Sequence, residues 1–165
     1  TIATLSSGFP FSPQLGYNPT GSGDSRNPIR PNINTAFTGS LYTKGSTSAK
    51  AAQYFNPNAF SAPAAGYVGN ASRDALVGPG FSDWDFSLLK STKLTESTRL
   101  QFRAEFFNIL NHTNLALPNE VVYSAGPTQG TLANQTTAAA LGSPGVITST
   151  ANTSRQIQLG LKLLF

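Results

Sequence analysis

Ser82-Asp83-Trp84-Asp85-Phe86-Ser87-Leu88-Leu89-Lys90-Ser91-Thr92 and, after a short connection at 93–97, Thr98-Arg99-Leu100-Gln101-Phe102-Arg103-Ala104-Glu105-Phe106 are the stretches on which the fold turns. In the first, Trp84, Phe86 and Leu88 fall on one side of an extended chain and Asp83, Asp85, Ser87 and Ser91 on the other. In the second, Leu100, Phe102, Ala104 and Phe106 oppose Arg99, Gln101, Arg103 and Glu105. A period of two belongs to a strand; a helix would scatter both sets around its axis. A polar connection this short joins antiparallel neighbours. Directly opposed residues share a face, so the expected register sets Phe86 across from Phe102, Leu88 from Leu100 and Asp85 from Arg103, with apolar pairs on one side and an ion pair on the other. A register opposing Asp85 to Glu105 brings like charges together and is disfavoured. Leu89 and Phe107 fall on the wrong face.

Working outward, the last stretch repeats the pattern. Ile157, Leu159, Leu161, Leu163 and Phe165 lie on one face and Gln156, Gln158, Gly160 and Lys162 on the other, with Leu164 breaking the alternation. A soluble strand with one buried face and a strand crossing a bilayer both read this way. A strand crosses in about 9 to 11 residues and needs apolar side chains only at every second position. A closing aromatic suits a bilayer interface better than an exposed sheet edge. The sequence has no run of 18 apolar residues that would make a membrane-spanning helix. On the bilayer reading the lipid-facing set is Trp84, Phe86, Leu88, Leu100, Phe102, Phe106, Ile157, Leu159, Leu161 and Leu163. The lumen-facing set is Asp83, Asp85, Arg99, Arg103, Glu105 and Lys162. Trp84 and Phe106, expected at corresponding heights, would form part of an aromatic girdle, with Lys90 snorkelling near the opposite interface.

Between these strands the sequence changes character. Phe9-Pro10, Ser12-Pro13, Asn18-Pro19, Gly21-Ser22-Gly23, Asn56-Pro57 and Gly78-Pro79-Gly80 punctuate a connection at 8–81, where long regular elements are not expected. Within it, Tyr54-Phe55-Asn56-Pro57-Asn58-Ala59-Phe60 offers aromatics able to pack down like a plug. A second connection, 110–154, has Glu120 as its one formal charge apart from His112. Four strands are expected, at about 1–7, 82–92, 98–109 and 155–165. A single-chain barrel needs at least about eight, so this chain is expected to supply only part of one. The chain is 165 residues long with 11% charged residues, against about 25% in an average soluble domain. With no Cys, disulfide scaffolds, Cys-ligated zinc and thiol catalysis are excluded. Its net charge of +4 is spread thinly, not gathered into a basic stripe, which argues against a nucleic-acid partner. Thr1-Ile2-Ala3-Thr4 shows neither an initiator Met nor a signal peptide, and the chain is expected to begin inside something longer.

Several of these segments together resemble a known family. Gly8-Phe9-Pro10-Phe11-Ser12-Pro13, Tyr54 through Phe60, Gly78-Pro79-Gly80-Phe81 through Leu88, Leu100 through Asn108, Asn111-His112-Thr113-Asn114 and Arg155-Gln156-Ile157 onward resemble, in order and spacing, the C-terminal end of Oar-like TonB-dependent outer-membrane receptors of the acidobacterial type. The resemblance implies an all-β fold: C-terminal antiparallel strands of a large transmembrane β-barrel, about 22 strands in the intact protein, with two long irregular outer loops. It also implies a signal peptide, a carboxypeptidase-regulatory-like domain, a plug and a TonB box, none of which is visible in these 165 residues. The hairpin connection would be periplasmic and both long connections extracellular. Gln158, Gly160, Leu163 and Phe165 look like the outer-membrane insertion signal read by the barrel assembly machinery. The implied location is the cell outer membrane of a Gram-negative bacterium. The implied partners are outer-membrane lipid, the barrel assembly machinery, the TonB complex through the missing N-terminal part, and an unknown large solute taken up, exported or sensed.

No residue set points to catalysis or a cofactor. Asp83 and Asp85 resemble a metal-binding pair, but a divalent site needs further oxygen ligands and alternation puts both on the lumen side next to Arg103. His112 has no triad or metal partner nearby in sequence. The Gly-rich clusters lack the strand-then-helix context of a phosphate-binding loop. The Asn-X-Ser/Thr triplets are what a chain rich in those residues produces by chance. A rival reading is a β-rich cell-surface or filament-forming protein whose strands pair between chains.

Overall fold

The computed structural model describes residues 1–23, 29–124, 139–140 and 143–165. Its elements, in chain order, are strands β1 (Ile2–Ser6), β2 (Pro10–Phe11), β3 (Gln14–Leu15) and β4 (Asn32–Ile33), helix α1 (Thr47–Ala52), a single 3-10 turn (Pro57–Ala59), and strands β5 (Phe60–Ser61), β6 (Leu76–Val77), β7 (Phe81–Lys93), β8 (Arg99–Phe107), β9 (Val121–Ser124), β10 (Ala139–Ala140) and β11 (Gln156–Leu164). They fall into two compact units. The first comprises Thr1–Ser7, Gly80–Leu115 and Thr150–Phe165, the second Gly8–Pro79 and Ala116–Ser149.

The first unit is one antiparallel sheet in the order β1-β7-β8-β11. β1 and β11 are its open edges, so the fold is all-β barrel wall without closure. The alternation of apolar and polar side chains forms these strands, and their bounds lie close to those read from the pattern. β8 stops at Phe107 because Asn108 turns left-handed, with φ of +49°. That conformation suits Asn among the L-residues and ends a strand.

The hairpin register differs from the expected one. Phe86 lies opposite Phe106, Leu88 opposite Ala104, Lys90 opposite Phe102 and Thr92 opposite Leu100. Faces are still matched, but the strands are slid by four residue numbers in their pairing. Phe106 is therefore level with Phe86, not with Trp84, and their rings stand 6.0 Å apart. Leu89, not Asp85, faces Arg103. The turn explains the slide. β7 continues to Lys93, and the reversal is tied by Leu94 N–H donating to Thr98 O at 2.9 Å and Thr98 N–H donating to Thr95 Oγ1 at 3.0 Å. At the other end, Ile109 N–H donates to Trp84 O at 2.8 Å, and Asn108 N–H to the Asp85 carboxylate at 3.0 Å. Asp85 is thereby occupied, and Arg103 pairs with Glu105 two residues along its own strand instead.

The second unit is built from the two long connections. Both connections contribute to one packed body with its own core of Phe11, Phe55, Ala59, Phe60, Ala71, Leu76 and Val122. Phe55 is 0% exposed and has Phe11 and Phe60 as ring neighbours at 6.0 and 6.2 Å. Among the described residues the unit's regular structure is α1, the 3-10 turn, two-residue ladders of β2 with β6 and β4 with β5, and β3, β9 and β10, where β3 pairs parallel to β9. Frequent prolines keep elements short, yet Pro13, Pro19, Pro31 and Pro63 are themselves fully buried and serve as core. Tyrosine hydroxyls join the segments: Tyr123 donates to Phe60 O, and Tyr42 accepts from Val77 N–H, each at 2.9 Å. Burial raises the Tyr123 and Tyr54 hydroxyls above their ordinary pKa, with Tyr42 adding to the effect at Tyr54. At Gly8 a Cβ would overlap the carbonyl of Gly78, so the start of the first connection needs glycine for close approach. Of the second connection, 125–138 and 141–142 lie outside the described residues.

Candidate functional site

Two faces of the sheet and one corner of it carry the chemistry of the first unit. Registers place Trp84, Phe86 and Leu88 of β7, Leu100, Phe102 and Phe106 of β8, and Ile157, Leu159, Leu161 and Leu163 of β11 on one face, with Ala3 and Leu5 of β1 continuing it. Within the described residues nothing covers it: Leu159 is 69% exposed and Leu161 71%. From the row of Leu100 to that of Trp84 the band spans about 26 Å along the strands, close to the apolar height of a bilayer once strand tilt is allowed for. Lys90 also lies on this face, across from Phe102.

The opposite face holds Asp83, Asp85, Arg99, Arg103, Glu105 and Lys162, and their order along the strands is not random. Starting at the hairpin, Lys93 and Arg99 face each other, followed by Lys162 beside Gln101, then Arg103 beside Gly160. Beyond them come Glu105 beside Gln158, then Asp85, then Asp83. Cations occupy the hairpin half and carboxylates the half nearer the long connections. Leu89, Phe107, Leu164 and Ile2 interrupt the polar set. Of the four residues expected to form an insertion signal, Gln158 and Gly160 lie on the polar face, Leu163 on the apolar one, and Phe165 follows β11 at 94% exposure.

Where β8 ends, a set of amides takes over from the ladder. Asn114, 1% exposed, accepts from Ser82 N–H at 2.8 Å and donates Nδ2–H to Ser82 O at 2.9 Å, the exchange that a neighbouring strand would make. Because its Oδ1 is an acceptor, the His112 Nδ1 lying 3.1 Å away carries the hydrogen between them. Asn108 donates to His112 O and Thr153 O, both at 3.0 Å, and accepts from His112 N–H at 2.8 Å. Asn111 accepts from Arg155 N–H at 3.0 Å, aligning the entry to β11. Asn152 donates to Asp83 at 3.2 Å. Asp83 and Asp85 are thus held by amide donors, and His112 is part of a structural corner. Pattern reading singled out the charges and missed these asparagines. The spacing of Asn108, Asn111 and Asn114, immediately after an amphipathic strand, is the signal that marks them, since Asn tolerates left-handed backbone and bonds to nearby main chain.

A family model described as an outer membrane beta barrel domain matches residues 1–158. No curated protein and no solved structure matches the chain. The family match covers β1, β7, β8 and the first three residues of β11, and runs through the unit built from the two connections. The open amphipathic sheet and this match lead to one conclusion: the chain belongs to the outer membrane beta barrel domain family and resides in the outer membrane of Gram-negative bacteria.

Proposed function

We propose that these residues are wall strands and outer loops of an Oar-like TonB-dependent receptor that takes part in uptake, export or sensing of a large solute. The observation that carries this reading is the asymmetry of the connections. β7 and β8 are joined by five residues, whereas the 74 residues between β1 and β7 and the 48 between β8 and β11 leave the sheet from its opposite end. Outer-membrane barrels combine short periplasmic turns with long extracellular loops. Trp84, Phe86, Leu88, Leu100, Phe102, Phe106, Ile157, Leu159, Leu161 and Leu163 then face lipid. Asp83, Asp85, Arg99, Arg103, Glu105 and Lys162 face the lumen, carboxylates outermost and cations innermost, and tune what passes. The packed second unit captures solute outside the cell. TonB coupling belongs to the N-terminal part of such a receptor, and the Gln158, Gly160, Leu163 and Phe165 signal engages the barrel assembly machinery. No chemical step is performed and no cofactor is used.

Two measurements on the full-length protein test this. Glu96→Cys in the hairpin is shielded from a membrane-impermeant maleimide on intact cells and labelled after outer-membrane permeabilisation, whereas Tyr67→Cys in the exposed part of the first connection is labelled on intact cells. The reverse pattern overturns the orientation. Growth on, or binding of, a candidate solute that depends on TonB supports the receptor assignment; solute passage unchanged in cells lacking TonB refutes it.

A further inference from the structure

The second unit contains a cavity of about 540 Å³ lined by Phe11, Ser12, Gln14, Arg30, Arg73, Asp74 and Glu120. Two guanidinium groups and two carboxylates share this space, yet among the described residues no ion pair joins any of the four. At exposed positions such as Arg73 and Asp74 an ion pair gains little, so the four groups stay available to a ligand. Three of these four are held. Arg30 donates Nε–H to Ala71 O at 2.7 Å, which pins the root of its guanidinium and leaves its terminal nitrogens over. Glu120 accepts from Gln14 Nε2 at 2.6 Å, while its own carbonyl accepts from Gln14 N–H at 2.9 Å. Asp74 is fixed by a left-handed backbone, φ +56°, and by donating its N–H to Ser12 Oγ at 2.8 Å, and its carboxylate accepts from the same hydroxyl at 3.5 Å. Burial also pushes the Glu120 carboxyl above its ordinary pKa. Phe11, buried in the core, gives the cavity an apolar wall.

We propose that this cavity binds a zwitterionic solute, a short peptide with free termini, whose carboxylate is taken by Arg30 and Arg73 and whose ammonium is taken by Asp74 and Glu120. The site deepens the receptor reading and rests on it for its access to the outside of the cell. Its volume lies in the range of pockets that enclose small ligands. A solute with one charged end satisfies two of the four charged groups and leaves the other two without a ligand partner. Guanidinium forks match carboxylate geometry, so the carboxylate end is the better read of the two.

Calorimetric titration of the detergent-purified full-length protein with trialanine, N-acetyl-trialanine and trialanine amide tests the proposal. Free trialanine binds about tenfold tighter than either capped form, the loss expected for one charge-assisted contact. The double variant Arg30→Gln/Arg73→Gln erases the preference over the amide but keeps that over the N-acetyl form. Asp74→Asn/Glu120→Gln does the opposite; Asn accepts the left-handed backbone at 74, and Gln still accepts from Gln14 at 120. The single variants Arg73→Gln and Asp74→Asn, at exposed positions, give the same pattern in weaker form should a double variant not fold. Equal binding of the three peptides, absence of trialanine binding, or both preferences surviving in both variants overturns the site. Labelling of Ser72→Cys on intact cells by an impermeant maleimide reads access separately: without it the receptor orientation fails, while the calorimetric result stands.

Discussion

Asn108 joins three jobs in one residue: it ends β8 with a φ of +49°, caps Asp85 through its N–H, and ties His112 and Thr153 with its side chain. Two substitutions separate these. Asn108→Gly keeps access to the left-handed backbone and loses the side-chain bonds, whereas Asn108→Ala loses both and adds about 1 kcal/mol of backbone strain. Both variants of the full-length barrel should unfold at lower urea than the parent, alanine lower than glycine; equal midpoints would show that the backbone conformation carries no cost. A second residue-scale prediction concerns Glu120. Its carboxyl has an ordinary value near 4.5, raised in the folded state by burial. The folded state therefore holds the proton more tightly, and stability falls as pH climbs from about 4.5 through the raised value. Glu120→Gln removes that loss. Hydrogen exchange of the Val122 amide should be slower in this variant than in the parent at pH 7, and equal in the two below pH 4.5. None of this was legible from pattern, because alternation reports which face a residue takes and says nothing of the backbone amides that meet its side chain.

The element scale divides the sheet into what periodicity decides and what it leaves open. The two faces of β7, β8 and β11 are readable because one residue of slip moves every apolar side chain to the wrong side. The register is not, because slips that keep opposed residues on a common face cost nothing in that pattern. What breaks the tie is local: Thr95 and Thr98 in the turn and the Asn108 contact with Asp85, none of which carries a hydrophobic signal. The Asp85–Arg103 pair expected from charge does not form, because Leu89 faces Arg103 and the Asn108 amide takes the Asp85 carboxylate. Cross-linking distinguishes the two registers cleanly, since the chain has no native Cys. Phe86→Cys with Phe106→Cys should form a disulfide on oxidation in the folded barrel, as opposed Cα atoms are about 4.5 to 5.5 Å apart. Phe86→Cys with Phe102→Cys, offset by about 13 Å along the strand, should not. The loop unit failed a different test of legibility. Phe11, Phe55, Phe60, Leu76 and Val122 come from separate short runs with no common period, and each run sits among prolines and glycines that read as turns.

At the scale of the whole molecule, one sheet presents an apolar band on one side and an axially sorted row of charges on the other, and the barrel reading assigns these sides to lipid and lumen. Leu159 and Gln158 are neighbours in β11 near the middle of that band, opposite Ala104 and Glu105, and they point to opposite sides. Arginine placed at each makes a matched pair that differs only in solvent. On the lipid side near the bilayer midplane it costs about 2 to 4 kcal/mol, whereas a lumen position accepts a charge readily, and Glu105 opposite offers it a partner. Leu159→Arg should therefore lower the amount of full-length protein that migrates as a folded, heat-modifiable barrel, and Gln158→Arg should leave it close to the parent. A soluble sheet buried against another polypeptide also rejects Arg at 159, so refolding into vesicles of different thickness supplies the deciding comparison. Thinning the bilayer brings interfacial water closer to the midplane and should recover part of the Leu159→Arg loss. Recovery that is absent in thin bilayers, or a defect as large for Gln158→Arg, would take the apolar band away from lipid and with it the assignment of the charged row to a lumen.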